Sequence, residues 1–360
     1  MFNYAKLPEF DNHETVISLS DGQTGLRGFI AIHNTNLGPA LGGTRITSFY
    51  PNEEAAIKDA LRLSRAMTYK CAIADLPFGG GKGVIIADPE DPQLNDLLQQ
   101  YARKVSTLEG QFYTGEDVGL TEENVQFMLK FSPYFIGKTG LAGDPSRYAA
   151  YSTFLAIQTA LEFLGKAGLA GKKFVIKGLG KTGSELARLL IEAKSKVIAS
   201  DADESKIREF KSKYPNTEFV PVKNIEEVRA DVFCPCSLGN DITEGNIGRV
   251  KFSVIAGTAN NQLEADEIGD KLFNSGILYV PDYVSNAGGL INVADELLPG
   301  GYNRDRVMDG INRIQLTLRE ILVRSQLLAI SPNKIADAMA RSVFDKVSLP
   351  LQNKNGNTTF

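Results

Sequence analysis

Tryptophan is absent, and cysteine and histidine nearly so: the 360 residues hold Cys71, Cys234 and Cys236, and His13 and His33. Three thiols in apolar or strand-like runs exclude a disulfide framework and point to a reducing cytoplasm as the home of the protein. Cys234-Pro235-Cys236 lacks metal-ligand spacing, so no metal site is expected. Two histidines leave little scope for imidazole-based catalysis, and both are read as structural. No long basic block accompanies the formal net charge of −4, which speaks against nucleic acid as a partner. No apolar run approaches the length of a membrane span, and the first residues carry no signal-peptide pattern, so no membrane association is expected.

What is present is an ordinary globular composition, 43% hydrophobic and 23% charged, in a chain long enough for two domains. The segment from Lys70 to Lys82 organises the reading. One lysine opens an apolar run and a second closes the triplet Gly79-Gly80-Gly81, so two cations flank what reads as a small loop whose backbone a ligand can approach. A lysine in an apolar pocket beside another cation loses preference for its charged form and can act as a base near neutral pH. On these residues alone, a glycine turn between two surface lysines is the other reading.

Glu14 to Ser20 and Arg27 to His33 read as antiparallel strands around a turn at Asp21-Gly22. Leu37 to Thr44, with Gly42 and Gly43, is expected to break regular structure. A helix capped by Asn52 delivers Lys70 at its C-terminal end, and a strand from Gln111 runs into a loop bearing Glu116 and Asp117. Gly137 to Arg147 reads as a hinge before a long helix from Tyr148 to Leu164. Beyond it, short β-rich runs at Lys173, Lys196, Asp231, Ser253 and Ile277 alternate with helical segments, the pattern of a doubly wound parallel sheet. Helices are expected over 305–328 and from Ser331 to Val347, with a polar tail after Pro350. The fold class is therefore α/β: an N-terminal mixed-sheet α/β domain and a Rossmann-type doubly wound domain.

Gly178-Leu179-Gly180-Lys181-Thr182-Gly183 stands between a strand and a helix. Gly178 allows the tight turn, Gly180 lets a pyrophosphate approach the backbone, and Gly183 lets helix and strand pack closely. Asp201 ends the next strand about 20 residues later, where a carboxylate hydrogen-bonds ribose hydroxyls and repels a 2′-phosphate. NAD is thus expected rather than NADP. Asn260 and Asn261, after Ala256-Gly257, and Asn286 follow strand ends facing the ligand crevice, where side-chain amides can hold a carboxamide; each is also an ordinary turn former.

Leu37-Gly38-Pro39-Ala40-Leu41-Gly42-Gly43-Thr44-Arg45, Met67-Thr68-Tyr69-Lys70, Gly79-Gly80-Gly81-Lys82, the Glu116-Asp117 loop, Asn260-Asn261-Gln262-Leu263 and Pro281 to Val293 resemble, in that order, the glutamate, leucine, phenylalanine and valine dehydrogenase family, the leucine branch above all. The resemblance covers about residues 10 to 345. It implies that Lys70 binds the substrate carboxylate, that Lys82 activates the water attacking the imine, and that Asp117 shuttles protons at the amino group. It implies a substrate pocket at Leu41, Gly42, Gly43, Met67, Gly115, Asn286 and Val293. It also implies a cofactor site at Gly178, Leu179, Gly180, Lys181, Thr182, Gly183, Asp201, Ala256, Gly257, Asn260, Asn261 and Asn286.

The expected reaction is NAD-dependent, reversible oxidative deamination of an apolar L-amino acid, leucine and its branched-chain relatives first, to the 2-oxo acid and ammonia. The lining offers no obvious cation for a second carboxylate, which disfavours glutamate. A phenylalanine or tryptophan dehydrogenase is the alternative, because Gly115 stands where the leucine enzymes usually carry alanine and could admit a larger side chain. A non-catalytic NAD-binding sensor is the alternative of another class. The resemblance also implies a homo-oligomer, dimer or octamer, assembled through residues 1–140 with segment 331–360 packed back on them. It makes 141–330 the cofactor domain, with the active site between the two. Three departures stand out: Pro145-Ser146-Arg147-Tyr148-Ala149 for Pro-Ser-Pro-Val-Thr, Lys181-Thr182 for Asn-Val, and Ser237-Leu238-Gly239-Asn240 for Ala-Leu-Gly-Gly.

Overall fold

The computed structural model describes residues 4–137 and 141–345. It divides into two compact units, one made of Met1–Gly143, Val293–Arg304 and Ala340–Val347, the other of Asp144–Asn292 and Asp305–Met339. The tail read beyond Pro350, and the part of segment 331–360 past residue 345, lie outside the described residues, as do 138–140 of the expected hinge.

The first unit contains strands β1 (Thr15–Ser20), β2 (Arg27–Asn34) and β3 (Ala40–Ile46), helix α1 (Glu53–Ile73), strand β4 (Gly79–Ile85), helix α2 (Leu94–Ser106), strand β5 (Phe112–Gly115) and helix α3 (Glu122–Met128). Its five-stranded sheet runs β1-β2-β4-β3-β5, antiparallel from β1 to β4 and parallel from β4 to β5, hence mixed. Because strand residues alternate between faces, Phe29, Ala31 and Val84 pack against Ala56, Ile57, Ala60 and Leu61 of α1, while Ile30, Ile32 and Ile85 pack with Leu98, Tyr101 and Val125 on the other side. Fully burying each of the Val, Leu, Ile and Phe side chains among these contributes about 1.5–3 kcal/mol. Asn52 caps α1 by accepting the Ala55 amide at 2.9 Å, and a Thr121–Asn124 capping box starts α3.

Two sequence expectations fail here. Leu37 to Thr44 does not break regular structure throughout: β3 begins at Ala40, and Gly42 and Gly43 lie inside it. The Gly79-Gly80-Gly81 triplet is no loop either; it opens β4, buried at every position. The reason is close packing of protein on protein. A Cβ on Gly80 would come to 2.1 Å from the Thr68 nitrogen of α1, one on Gly81 to 2.7 Å from the Phe112 ring, and one on Gly42 to 1.8 Å from the Gly81 oxygen.

The second unit contains α4 (Pro145–Phe163), β6 (Lys173–Lys177), α5 (Lys181–Glu192), β7 (Lys196–Ser200), α6 (Glu204–Lys213), β8 (Glu218–Phe219), β9 (Val232–Pro235), β10 (Val254–Ile255), α7 (Asp266–Asn274), β11 (Leu278–Tyr279) and α8 (Asp282–Ser285). The chain continues through α9 (Gly288–Ala294), α10 (Arg304–Leu328) and α11 (Pro332–Phe344). The six-stranded sheet runs β11-β10-β9-β6-β7-β8 with every pair parallel, the doubly wound order with its switch point between β6 and β9. Helix α4 starts at Pro145, earlier than the expected Tyr148, because Asp144 caps it by accepting the Ser146 amide and proline at the first position is already set for a helix. Among the described residues no helix is long and apolar enough to cross a membrane.

Candidate active site

In the first unit, β4 and the loop after β5 bring two of the expected residues into contact. The Lys82 ammonium lies against Oδ2 of Asp117. The other Asp117 oxygen accepts the Val118 amide at 2.6 Å and faces Nη2 of Arg45 at 3.6 Å. Lys82 shares its sheet face with Gly80, whose missing side chain lets the last turns of α1 settle onto the strand and bury the lysine, 5% exposed. Burial lowers the Lys82 ammonium to about 7 from its usual 10.5, the positive charges of Arg45 and Lys70 add to this, and Asp59 opposes it. Lys70, in the last turn of α1, is thus close enough for its charge to bear on Lys82.

Gly43 sits beside this pair, since a Cβ there would reach the Asp117 Cβ at 3.0 Å. Leu41 is fully buried, and the Met67 side chain lies 3.2 Å from the place of a Gly42 Cβ. Gly115 corrects its expected consequence. The space of its missing methyl is already taken by Ile136, whose carbonyl oxygen and Cγ1 would stand 2.9 and 3.0 Å from a Cβ, so the glycine opens no room by itself. Ile136, unnoticed in the sequence, is therefore the side chain that bounds this spot.

Arg45 and Asp59 were also missed as members of the site. Nη1 of Arg45 meets Asp59 Oδ2 at 2.7 Å, and Asp59 accepts the Tyr50 hydroxyl at 2.5 Å and Arg62 at 3.1 Å. The signal was strand alternation: counted from Gly43, Arg45 falls on the same face.

In the second unit, Gly178 takes φ +103° with the Cys236 carbonyl 2.7 Å from the place of a Cβ, and Gly183 meets the Gly178 oxygen at 2.0 Å, whereas Gly180 would meet nothing within 4 Å. Only the middle glycine is open. Helix α5 begins there with no side-chain cap, which leaves its leading amides and positive dipole end for an anion. Leu179 donates its amide to Asp201 Oδ2 at 2.6 Å, and Oδ1 accepts the Asp203 amide, so the carboxylate fixes the glycine loop.

Asn286, 3% exposed, donates from Nδ2 to Asn260 Oδ1 at 2.9 Å and to the Thr258 and Ala259 carbonyls, while its Oδ1 is buried with no hydrogen-bond partner among the described residues. A buried acceptor left open costs about 1–3 kcal/mol, the signature of a place kept for a ligand donor such as a carboxamide. Asn286 is held there because Ser152 and Thr153 of α4 both donate to the Ser285 carbonyl. Ala256 and Gly257 directly follow β10, and Gly257 has no room for a Cβ beside Pro235. Asn261 takes left-handed φ, 52°, and its carbonyl accepts the Asn240 amide; it is a turn residue. Val293, in α9, is half-buried. An open glycine, an uncapped helix start and an orphaned carboxamide acceptor fit a dinucleotide.

The departures have partners. The Thr258 hydroxyl donates to Thr182 Oγ1 at 2.9 Å, and Ser237 donates to the Asp241 carboxylate, which also pairs with Lys177 at 2.9 Å. Arg147, after Arg188, helps hold the Glu185 carboxyl of α5 below its usual value.

Comparison with known proteins agrees with this geometry. Residues 13–134 match the Glu/Leu/Phe/Val dehydrogenase dimerisation domain, and residues 199–300 match the glutamate/leucine/phenylalanine/valine dehydrogenase domain. The chain is 40% identical over 345 residues to an L-tryptophan dehydrogenase of Nostoc punctiforme, covering 95% of this chain and 96% of the relative. It is 39% identical to a phenylalanine dehydrogenase of Caldalkalibacillus thermarum (94% and 93% covered) and 38% identical to the leucine dehydrogenase of Bacillus subtilis (95% and 94% covered). A crystal structure of the N. punctiforme L-tryptophan dehydrogenase superposes with a TM-score of 0.79 at 38% identity over 93% of this chain and 96% of that one. The chain is an amino-acid dehydrogenase and belongs to the glutamate, leucine, phenylalanine and valine dehydrogenase family.

Proposed function

We propose that the protein is an NAD-dependent dehydrogenase of apolar L-amino acids, leucine and the other branched-chain amino acids first, which forms the 2-oxo acid and ammonia reversibly. The observation that carries this reading is the buried Lys82, brought down to about 7 and set against Asp117. When bound, the dinucleotide accepts the hydride from the substrate Cα; Gly180, the start of α5, Asp201 and Asn286 would hold it. Lys70 takes the substrate carboxylate. Asp117 takes the proton that the substrate ammonium gives up before hydride leaves; neutral Lys82 removes a proton from the water that adds to the resulting iminium carbon; Asp117 then returns its proton to the nitrogen, which leaves as ammonia while the new hydroxyl loses its proton and becomes the carbonyl. The net reaction consumes one water and yields one ammonium ion for each oxidised amino acid.

Branched aliphatic substrates are favoured by the apolar lining of Leu41, Met67 and Ile136, with Ile136 filling the space beside Gly115. One methylene is worth only about 1–3 kcal/mol in such pockets, so the range of substrates is broad. The similarity to tryptophan and phenylalanine dehydrogenases favours aromatic substrates as a second reading. NAD is favoured over NADP by Asp201, whose carboxylate repels a 2′-phosphate. The reading includes a homo-oligomer, dimer or octamer, and a cytoplasmic home, supported by three free, buried cysteines.

Initial rates with L-leucine, valine, isoleucine, phenylalanine, tryptophan and glutamate, each with NAD and NADP, test substrate and cofactor together. Highest rates on branched substrates with NAD are expected; a preference for tryptophan or phenylalanine moves the reading to its aromatic form. Lys82→Ala should abolish turnover while NADH fluorescence still reports binding, and retained turnover would remove the lysine from its role. A sedimentation profile showing monomer alone would refute the oligomer.

A further inference from the structure

Arg45 is engaged more widely than a strand residue needs to be. It lies on β3 opposite Val84 of β4, so alternation puts it on the face that carries Lys82 and Gly80, under α1. Its guanidinium spans two carboxylates, 2.7 Å to Asp59 Oδ2 and 3.6 Å to Asp117 Oδ1, and its Nε is buried with no hydrogen-bond partner among the described residues. Asp59 is itself anchored: burial works against its charge, but the Tyr50 hydroxyl, Arg45 and Arg62 outweigh it and keep the carboxyl below its usual value. Asp117 thus has its oxygens divided, Oδ2 against Lys82 and Oδ1 toward Arg45 and the Val118 amide. Without Arg45, that local amide bond is what holds Oδ1 among the described residues.

We propose that Arg45, anchored through Asp59 and Tyr50, is a positioning residue that holds the Asp117 carboxylate in register with Lys82 and supplies a fixed positive charge beside that pair. This rests on the roles proposed above for Lys82 and Asp117. Arg45 touches no reacting atom in this scheme; it acts through Asp117 by contact and on Lys82 by charge. The charged groups facing Lys82 are Arg45 from β3, Asp59 and Lys70 from α1, and Asp117 from the loop after β5. They pull in different directions. Arg45 disfavours the protonated lysine and Asp59 favours it, so removing one should act oppositely to removing the other.

The test is the pH dependence of kcat/KM for oxidative deamination of the preferred amino acid in Arg45→Gln, Arg45→Lys and Asp59→Asn, with NADH binding and circular dichroism as controls. Lys82 must be neutral to take a proton from water, so activity rises with pH through its titration. Arg45→Gln removes a positive charge and should move the rising limb up by about one pH unit. At pH 7 kcat should fall about fivefold, as the neutral fraction of a lysine at about 7 drops from about one half to about one tenth, while KM and NADH binding stay close to wild type. Arg45→Lys keeps the charge but loses the two-armed reach, so it should restore the limb while leaving kcat reduced. Asp59→Asn should move the limb down.

A folded Arg45→Gln protein with an unmoved limb overturns the proposal. So do limbs of Arg45→Gln and Asp59→Asn that shift in the same direction. Should Arg45→Gln fail to fold, the limbs of Arg45→Lys and Asp59→Asn decide. Retained turnover in Lys82→Ala would defeat the underlying reading instead, which separates the two failures.

Discussion

Two glycine runs, one in each unit, look alike in the sequence and do opposite things. Gly79-Gly80-Gly81 precedes Lys82, and Gly178 to Gly183 brackets Lys181. In the first, every missing side chain is replaced by protein: Asn34 at Gly79, Thr68 and Ser64 at Gly80, Phe112 at Gly81. In the second, two glycines are filled by the fold and Gly180 faces open space. Glycine reports that something comes close to the backbone. Whether that is a helix or a ligand depends on the next element of the chain, and only the second run leads straight into an uncapped helix.

Substitution by alanine should separate the two runs most sharply. Gly80→Ala drives a methyl to 2.1 Å from the Thr68 nitrogen and 2.4 Å from the Ser64 carbonyl, both backbone atoms that cannot swing away. It should cost more than about 3 kcal/mol, read as a lower midpoint of urea unfolding or as loss of soluble protein. Gly180→Ala should leave that midpoint within about 0.5 kcal/mol and instead weaken NADH binding roughly tenfold. Equal damage to stability in both variants would break the comparison.

The units also differ in their response to acid, though by less. Both histidines of the chain belong to the first unit. His13 bonds the Leu61 carbonyl and Ser64 through Nε2 and accepts the Asp11 amide at Nδ1, and its ring stands edge-on to His33. Burial first, and then the charge of His33, lowers it to about 4 from the usual 6.5. The native state therefore refuses a proton that the unfolded chain would take. His13's contribution is complete above about pH 6.5 and is lost as pH falls from there through 4. Melting followed by circular dichroism should show the first unit loosening before the second between pH 6.5 and 4, and His13→Gln should flatten that slope. A slope unchanged by the substitution would place acid sensitivity elsewhere.

The second unit was the more legible in sequence because its signals are local. A β-rich run, three glycines, a helix and a strand ending in Asp201 succeed one another without interruption, and each has one physical reading. Strand β8, only Glu218–Phe219, escaped because it is an edge strand whose residues are exposed or half-buried, without the buried apolar run that marks the equally short β10 and β11. The first unit was legible in its helices: the Asn52 cap, the delivery of Lys70 by α1, and the carboxylate loop after β5. Its central strands were not. Gly42 and Gly43 in β3 and Gly79 to Gly83 in β4 have little intrinsic strand preference, and they become strands because α1, Phe112 and each other occupy the space left by absent side chains. The Arg45–Asp59 pair and Ile136 were hidden for a related reason. Residues 14 and 21 positions from their partners meet only once the sheet has formed, which no local pattern announces.

The last described turn of the chain gives the first unit a birth order. Phe344 packs its ring on Tyr69 and His33, its carbonyl accepts from the Asn36 side chain at 2.8 Å, and Arg341 reaches Asp11 at 2.7 Å. On the ribosome, roughly 230 residues must emerge after the last strand of the first unit's sheet before these partners arrive, about 10–45 s at ordinary rates of synthesis. Through that interval the surface of Tyr69 and His33 is left uncovered, one residue from Lys70. The unit begun earlier in the chain is thus finished only by residues made long after its own sheet, which cover the Tyr69 ring next to Lys70.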